Sequence, residues 1–163
     1  MKTMLVPIDF SDITPTVVRT AGDWAVASGH RVHLFHVLPE DTDLVGYESG
    51  LQILPYVPPP ESSEEKRLMQ AFRDELAARG LEVTTRIVQG SAVLDIIDEA
   101  VAVDADVIVL GSHRHGVLHH LFLGSVSAGV LRRAPCPVMV VPAPLSAKAT
   151  EQQQKTDTLP AGA

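Results

Sequence analysis

Cysteine is almost absent from the sequence, since Cys136 is the single one among 163 residues. A chain with one cysteine cannot build a framework of intrachain disulfides, and its composition agrees with a reducing compartment. Cys136 stands between two prolines beside an apolar run, without an obvious base nearby in the sequence. We therefore interpret it as a packed thiol rather than a nucleophile.

Basic residues are outnumbered, with 13 Lys and Arg against 20 Asp and Glu and a formal net charge of −7. A chain this acidic has no large basic surface, which argues against nucleic acid as a partner. No apolar run approaches the ~20 residues that a membrane span needs. The opening "MKTMLVPIDFSD" also lacks the apolar segment and cleavage site of a signal peptide. We expect a cytoplasmic protein with no membrane partner.

The motifs of several enzyme classes are missing as well. The sequence contains neither the G-x-x-x-x-G-K-[ST] loop of P-loop NTPases nor a G-x-G-x-x-G segment after a strand. It also has no G-x-S-x-G nucleophile elbow. We therefore name no catalytic residue.

The sequence does contain a regular alternation of apolar strands and helices. The strand runs are nearly continuous in Val, Ile and Leu, which is typical of parallel strands covered on both faces. They predict an α/β fold, an open parallel sheet of five strands with helices on both faces. The predicted strands cover residues 3–9, 31–38, 82–88, 106–110 and 137–141.

The first predicted helix has signals at both ends. Thr14 is expected to be its N-cap, Pro15 its first helical residue and Gly29 its C-terminal cap. The apolar stripe starts at Val17 and includes Trp24, so we expect both side chains to face the core.

The predicted strands and helices fit one domain over residues 1–143. Within it, residues 39–60 form a long proline-containing connection that also carries apolar side chains. Such a loop either docks on the domain or moves freely at the surface. Residues 144–163 are polar and glutamine-rich, and we predict a disordered tail.

Two strand ends carry the residues of chemical interest. Ligands of open α/β sheets bind beyond the carboxyl ends of the strands, where the strand order reverses. Asp9 follows the first strand, and "GSHRHGVLHHLFLGS" follows the fourth. Gly111 and Gly124 would let the backbone approach an anion, and Ser125 begins a helix whose N–H groups favour phosphate. Alternatively, these glycines only permit tight turns and Ser125 is an ordinary N-cap.

Histidines crowd the same loop but show no metal-ligand pattern. We interpret them as part of a solvated polar loop and predict no metal site, because no carboxylate or thiolate completes a recognisable ligand set. His33 and His36 lie three apart in a strand, so their side chains point to opposite faces and form no joint site. The loop histidines are His113, His115, His119 and His120.

The chain resembles the universal stress protein family over nearly its whole length, from "MLVPIDFSD" to "APCPVMVVP". "HVLP", "DVIVLGSHRHG" and above all "LFLGSVSAGVLRRAPCPVMVVP" are similar to the family's pattern. The family's nucleotide loop reads G-x-x-G, nine residues, then G-[ST]. Gly111, Gly124 and Ser125 match that spacing, whereas Arg114 replaces the second glycine and Gly116 follows two residues later.

This resemblance implies a flavodoxin-like, adenine nucleotide alpha hydrolase-like sheet of strand order 3-2-1-4-5. It further implies that ATP or AMP binds at the carboxyl ends of strands 1 and 4, with Mg²⁺ as a companion of the phosphates. The adenine would lie near Asp9 and Val37, and the phosphates on the glycine loop, where the Arg114 guanidinium is a good partner for them. The implied binding residues are Pro7, Ile8, Asp9, Val37, Gly111, Arg114, Gly116, Gly124, Ser125 and Val126.

The resemblance favours a regulatory stress-response protein with at most slow ATP hydrolysis. One alternative is a nucleotide-free interaction module of the same fold, in which Arg114 fills the site and residues 39–60 meet a protein partner. The other is an enzyme that acts on adenylate groups.

The implied strand order leaves the last strand at the edge of the sheet. Residues 138–141, from Val138 to Val141, carry no charge that would discourage pairing with another strand. We expect a homodimer in which these strands of two copies lie antiparallel across a two-fold axis.

Overall fold

The computed structural model describes residues 2–39, 63–112 and 124–143. Strands and helices alternate as predicted, and each strand boundary differs from its predicted position by at most two residues. The strands are β1 (Lys2–Pro7), β2 (His30–Pro39), β3 (Val83–Gly90), β4 (Val107–Ser112) and β5 (Val138–Pro142). The helices are α1 (Thr14–Ser28), α2 (Ser63–Ala77), α3 (Ala92–Ala102) and α4 (Ser125–Arg133).

All five strands are parallel and run in the order β3-β2-β1-β4-β5, which confirms the predicted topology. Two apolar clusters cover the faces of this sheet. Val18 of α1 and Leu76 of α2 belong to one cluster, and Ile96 of α3 and Val130 of α4 belong to the other. The order reverses between β1 and β4, because the chain leaves β1 towards β2 and β3 and returns through α3 to β4.

Helix α1 confirms one predicted boundary and corrects three details. Gly29 ends the helix with φ 68°, and its N–H donates to the carbonyl of Ala25. Ile13 holds the N-cap position instead of Thr14, and buried Thr14 is the first helical residue instead of Pro15, which comes second. Trp24 is 55% exposed, so its expected place in the core was wrong.

The position of Trp24 follows from the geometry of the helix. The middle of the buried stripe passes through Thr14, Ala21 and Ala25. With 3.6 residues per turn, Trp24 lies about a quarter turn away from that line. Its indole therefore lies at the edge of the buried face of the helix, partly in solvent, and does not pack against the sheet.

Several predicted features lie outside the described residues. They are the connection after Pro39, the polar tail, and the loop that contains Arg114, Gly116 and the four clustered histidines. Among the helices that the structure does describe, none is both long and apolar enough to span a membrane.

Candidate functional site

A cavity of about 230 Å³ opens at the carboxyl ends of β1 and β4, at the reversal of strand order. The ends of β1, β2 and β4 contribute one part of its wall, with apolar side chains such as Val37 and Leu110. The first turns of α1, α3 and α4 contribute the rest. Helix N-termini carry partial positive charge, so the surroundings of the cavity favour an anionic group.

The structure brings eight of the sequence-predicted site residues together around this cavity. Arg114 and Gly116 lie outside the described residues. The eight are Pro7, Ile8, Asp9, Val37, Gly111, Gly124, Ser125 and Val126.

Sequence reasoning missed the other half of the wall, most of which the helices supply. Ile13 and Val17 on α1, and Ala92 and Ile96 on α3, form pairs four residues apart that line the cavity. Their spacing in the first turns, directly after strand ends, is the signal that could have found them. The remaining missed residues are Thr14, Phe35, Leu110 and Ser127.

Among the described residues, three donors to one oxygen hold the Asp9 carboxylate at the cavity. Its Oδ1 accepts from the Ser11 N–H at 3.1 Å, the Ser11 hydroxyl at 2.5 Å and the Thr14 hydroxyl at 3.2 Å. Asp9 itself is exposed, whereas Thr14 is buried in the start of α1. The carboxylate is therefore oriented by the protein while it stays accessible to a ligand.

The turn after Asp9 is held in an uncommon conformation. Phe10 has φ 57°, in the left-handed region that L-residues rarely adopt. Its ring packs on the imidazole of His36, with ring centroids 4.5 Å apart. The Nδ1 of buried His36 lies 2.7 Å from the carbonyl oxygen of Ile8 and donates to it.

The two glycines of the loop motif have different surroundings. A Cβ on Gly111 would lie 3.0 Å from Cγ2 of Val17 and 3.1 Å from Cγ2 of Ile13, so this glycine makes room for α1. A Cβ on Gly124 would meet no atom of the described residues within 4 Å. Gly124 has φ −58° and ψ 162°, which other residues adopt without strain. Of these two glycines, Gly124 is thus the one beside which the described residues leave space at the cavity.

Helix α4 presents its N-terminus to the cavity. Gly124 occupies the N-cap position, no side chain of the described residues caps the helix, and its first turn carries no acidic residue. The first N–H groups of a helix have no intrahelical acceptor, so those of Ser125 and Val126 can serve an anion. The Ser127 hydroxyl donates to the carbonyl oxygen of Gly111 at 3.0 Å and ties α4 to β4.

His33 and His36 lie on opposite faces of the sheet, as predicted. His33 Nε2 is 2.8 Å from Oε1 of buried Glu99, whose Oε2 accepts from Arg86 at 2.6 Å. His33 Nδ1 is 2.6 Å from the Thr84 hydroxyl. Burial lowers the pKa of His33 and outweighs the opposing effect of Glu99.

Cys136 is half-buried in the structure. Burial, with a smaller contribution from the Asp106 carboxylate, raises the pKa of its thiol. A raised pKa disfavours the thiolate, in agreement with a packed rather than reactive cysteine.

Comparisons with known sequences identify the family. The model of the universal stress protein family matches residues 1–142. A universal stress protein of Thermus aquaticus is 31% identical over 144 residues, covering 86% of this chain and 98% of the relative. Universal stress protein G of Salmonella typhimurium is 30% identical over 143 residues, with 86% and 98% covered.

Solved structures share the fold. A universal stress protein from Archaeoglobus fulgidus matches with a TM-score of 0.62 at 25% identity, covering 86% of this chain and 93% of that structure. Another universal stress protein, solved in complex with cAMP, matches with a TM-score of 0.64 at 25% identity, with 86% and 95% covered. The chain belongs to the universal stress protein family.

Proposed function

We propose that this stress protein binds an adenine nucleotide, ATP or AMP, in the cavity at the ends of β1 and β4, and that binding regulates it. The observation that carries the proposal is the combination of three features around one cavity. They are apolar walls, the oriented carboxylate of Asp9 and the uncapped N-terminus of α4. A nucleotide has matching parts, namely an apolar ring face, donor groups on base and ribose, and phosphate.

Each part of the nucleotide has a partner in this arrangement. The base would lie against Ile8 and Val37, and a ribose hydroxyl or base amino group would donate to Asp9. The phosphates would reach the N–H groups after Gly124, where no Cβ stands in the way. The Ser125 hydroxyl would bind phosphate or a phosphate-bound Mg²⁺. The cAMP complex of a structure 25% identical to this chain supports the same class of ligand.

The decisive experiment identifies what the purified protein carries. The protein is denatured as purified and the released small molecules are separated by nucleotide chromatography. Calorimetric titration of the nucleotide-free protein with AMP and ATP, with and without Mg²⁺, then measures the affinity. Recovery of an adenine nucleotide, or saturable binding, supports the proposal. Failure of both would favour the nucleotide-free interaction module, and AMP or ADP formed from ATP in step with the protein concentration would favour an enzyme.

We also propose that β5 pairs with its counterpart in a second copy. The Pro137 carbonyl accepts from the Ile108 N–H at 3.0 Å, so residue 137 directs its polar groups to β4. Successive residues of a strand alternate between their two neighbours. The N–H and C=O groups of Val138 and Val140 therefore point to the edge beyond β5. An antiparallel pairing of Val138 with Val140 of the second copy would use all of them.

A further inference from the structure

Strand β2 holds the main chain that carries Asp9. The Ile8 N–H donates to the carbonyl of Phe35 at 2.8 Å, and the Ile8 carbonyl accepts from His36 Nδ1 at 2.7 Å. That carbonyl and the Asp9 N–H belong to one planar peptide unit. His36 therefore fixes the plane from which the Asp9 side chain departs. The bond is buried, where a carbonyl left without a donor is costly.

The ring of Phe10 connects His36 to the other side of Asp9. A left-handed conformation is unfavourable for an L-residue, and it persists only where the surroundings impose it. For Phe10 the surroundings include the face of the His36 imidazole, tilted by 53° to the phenyl ring. The next residue, Ser11, donates its N–H to Asp9 Oδ1. Relaxation of Phe10 would move that donor away from the carboxylate.

We propose that His36 is a positioning residue for the nucleotide site, holding Asp9 in the orientation that receives the adenosine part of the ligand, with Phe10 as its partner. The inference rests on the proposed function, because it deepens the role of Asp9 in that same cavity. His36 does not line the cavity and acts through the turn from Ile8 to Ser11.

A purely structural role for His36 predicts something different. Its side chain is 7% exposed, so any change at this position can lower stability. A structural residue would weaken binding whether or not Asp9 is present. A positioning residue loses its effect once the Asp9 carboxylate has been removed.

The first test needs no nucleotide and measures hydrogen exchange of the Ser11 amide in the unliganded protein. His36→Phe keeps a ring but has no donor for Ile8, and we expect Ser11 to exchange about tenfold faster. His36→Asn keeps a donor near the Nδ1 position, so the Ser11 amide should stay better protected in it than in His36→Phe. Phe10→Ala, which removes the ring but keeps the unfavourable left-handed conformation, should also speed exchange and serves if His36→Phe fails to fold. His33→Gln, at a buried histidine on the opposite face, is the matched control and should leave Ser11 unchanged.

The second test is a double-mutant cycle of AMP binding measured by calorimetry. His36→Phe should weaken AMP binding about tenfold in the wild-type background and less than about twofold in the Asp9→Ala background. Binding of inorganic triphosphate should be the same with and without His36→Phe. Equal losses of AMP affinity in both backgrounds, or unchanged Ser11 exchange, would overturn the positioning role. A wild-type protein that binds neither AMP nor ATP would overturn the proposed function instead, and the exchange measurement would still decide whether His36 holds Asp9.

Discussion

The Ser127 hydroxyl donates a hydrogen bond to the main-chain oxygen of Gly111, joining the first turn of α4 to the end of β4 across 3.0 Å. Ser127 is buried, and both residues line the cavity. The strand end and the helix start that carry the loop motif are therefore held at a set separation by a side chain outside that motif.

Ser127→Ala is expected to lower the free energy of unfolding by about 1 kcal/mol, the usual net value of one hydrogen bond. AMP affinity should fall as well, because α4 is no longer tied to β4. Urea unfolding and calorimetry measure the two effects. Ser125→Ala, at the nearby exposed serine, is the contrasting variant. Its AMP affinity should fall, while its free energy of unfolding should change by less than about 0.5 kcal/mol. If both variants behaved alike, the tie would have no special role.

Gly124→Val should abolish nucleotide binding and leave the fold intact. The Cβ of the new residue would meet no atom of the described residues within 4 Å, and valine is a poorer N-cap than glycine, so the free energy of unfolding should fall by no more than about 1 kcal/mol. AMP affinity should fall by at least about a hundredfold, or roughly 2.8 kcal/mol. Gly111→Ala is the contrasting variant, expected to lose about 1–3 kcal/mol of stability by crowding Ile13 and Val17. Unchanged AMP affinity in Gly124→Val would rule out this place for the phosphate.

Asp9→Ala should weaken binding of AMP by about 1–3 kcal/mol, because a donor of the adenosine part loses its acceptor. Inorganic triphosphate lacks the adenosine part, and its affinity should not change. Calorimetric titration of the variant with each ligand separates the two parts of the site. An equal loss for both ligands would mean that Asp9 acts through the fold, by releasing Ser11 and Thr14.

His33 should make stability depend on pH. Its pKa in the folded state lies below the ordinary value, mainly because burial disfavours the charged ring. The unfolded chain then binds the proton more tightly than the folded one. The contribution of His33 to the free energy of unfolding is therefore complete above about pH 6.5, and it is lost as the pH falls through the lower folded pKa. Urea unfolding at several pH values should show that the free energy of unfolding falls more steeply with decreasing pH for wild type than for His33→Gln. Parallel curves would contradict the prediction.

Val140→Pro tests the proposed dimer without disturbing the sheet. Proline removes a donor that points to the open edge, whereas the polar groups of Met139 point to β4. Analytical ultracentrifugation at micromolar concentration should give a dimer for wild type and a monomer or aggregates for Val140→Pro. Met139→Pro, which breaks the internal ladder, should unfold the strand and lower stability as well. A monomeric wild-type protein would refute the pairing.

The sequence was sufficient for the sheet and for part of the cavity. Runs of Val, Ile and Leu at regular intervals indicate buried parallel strands, and a glycine such as Gly29 identifies a helix end, because both signals are local. Trp24 was misplaced because apolar spacing shows which residues share a face, not where the middle of that face meets the sheet. Ile13 and Ile96 could not be separated from ordinary core residues, since a helix pattern does not reveal which turn borders a cavity. Gly111 and Gly124 look equivalent in the amino-acid sequence, and the position of α1 against Gly111 distinguishes them.

The conformation of Gly124 has a consequence for how this chain can change over evolutionary time. Its dihedral angles suit other amino acids and a Cβ would meet no atom of the described residues, so packing against that part of the chain places no constraint on this position. Among the described contacts, a side chain at 124 would obstruct a ligand and not the packing, whereas at Gly111 it would also crowd α1. A descendant that no longer used a nucleotide could therefore replace Gly124 in one step and remain folded. Among descendants of this chain, the residue at 124 would record the history of ligand use, and the residue at 111 the history of the fold.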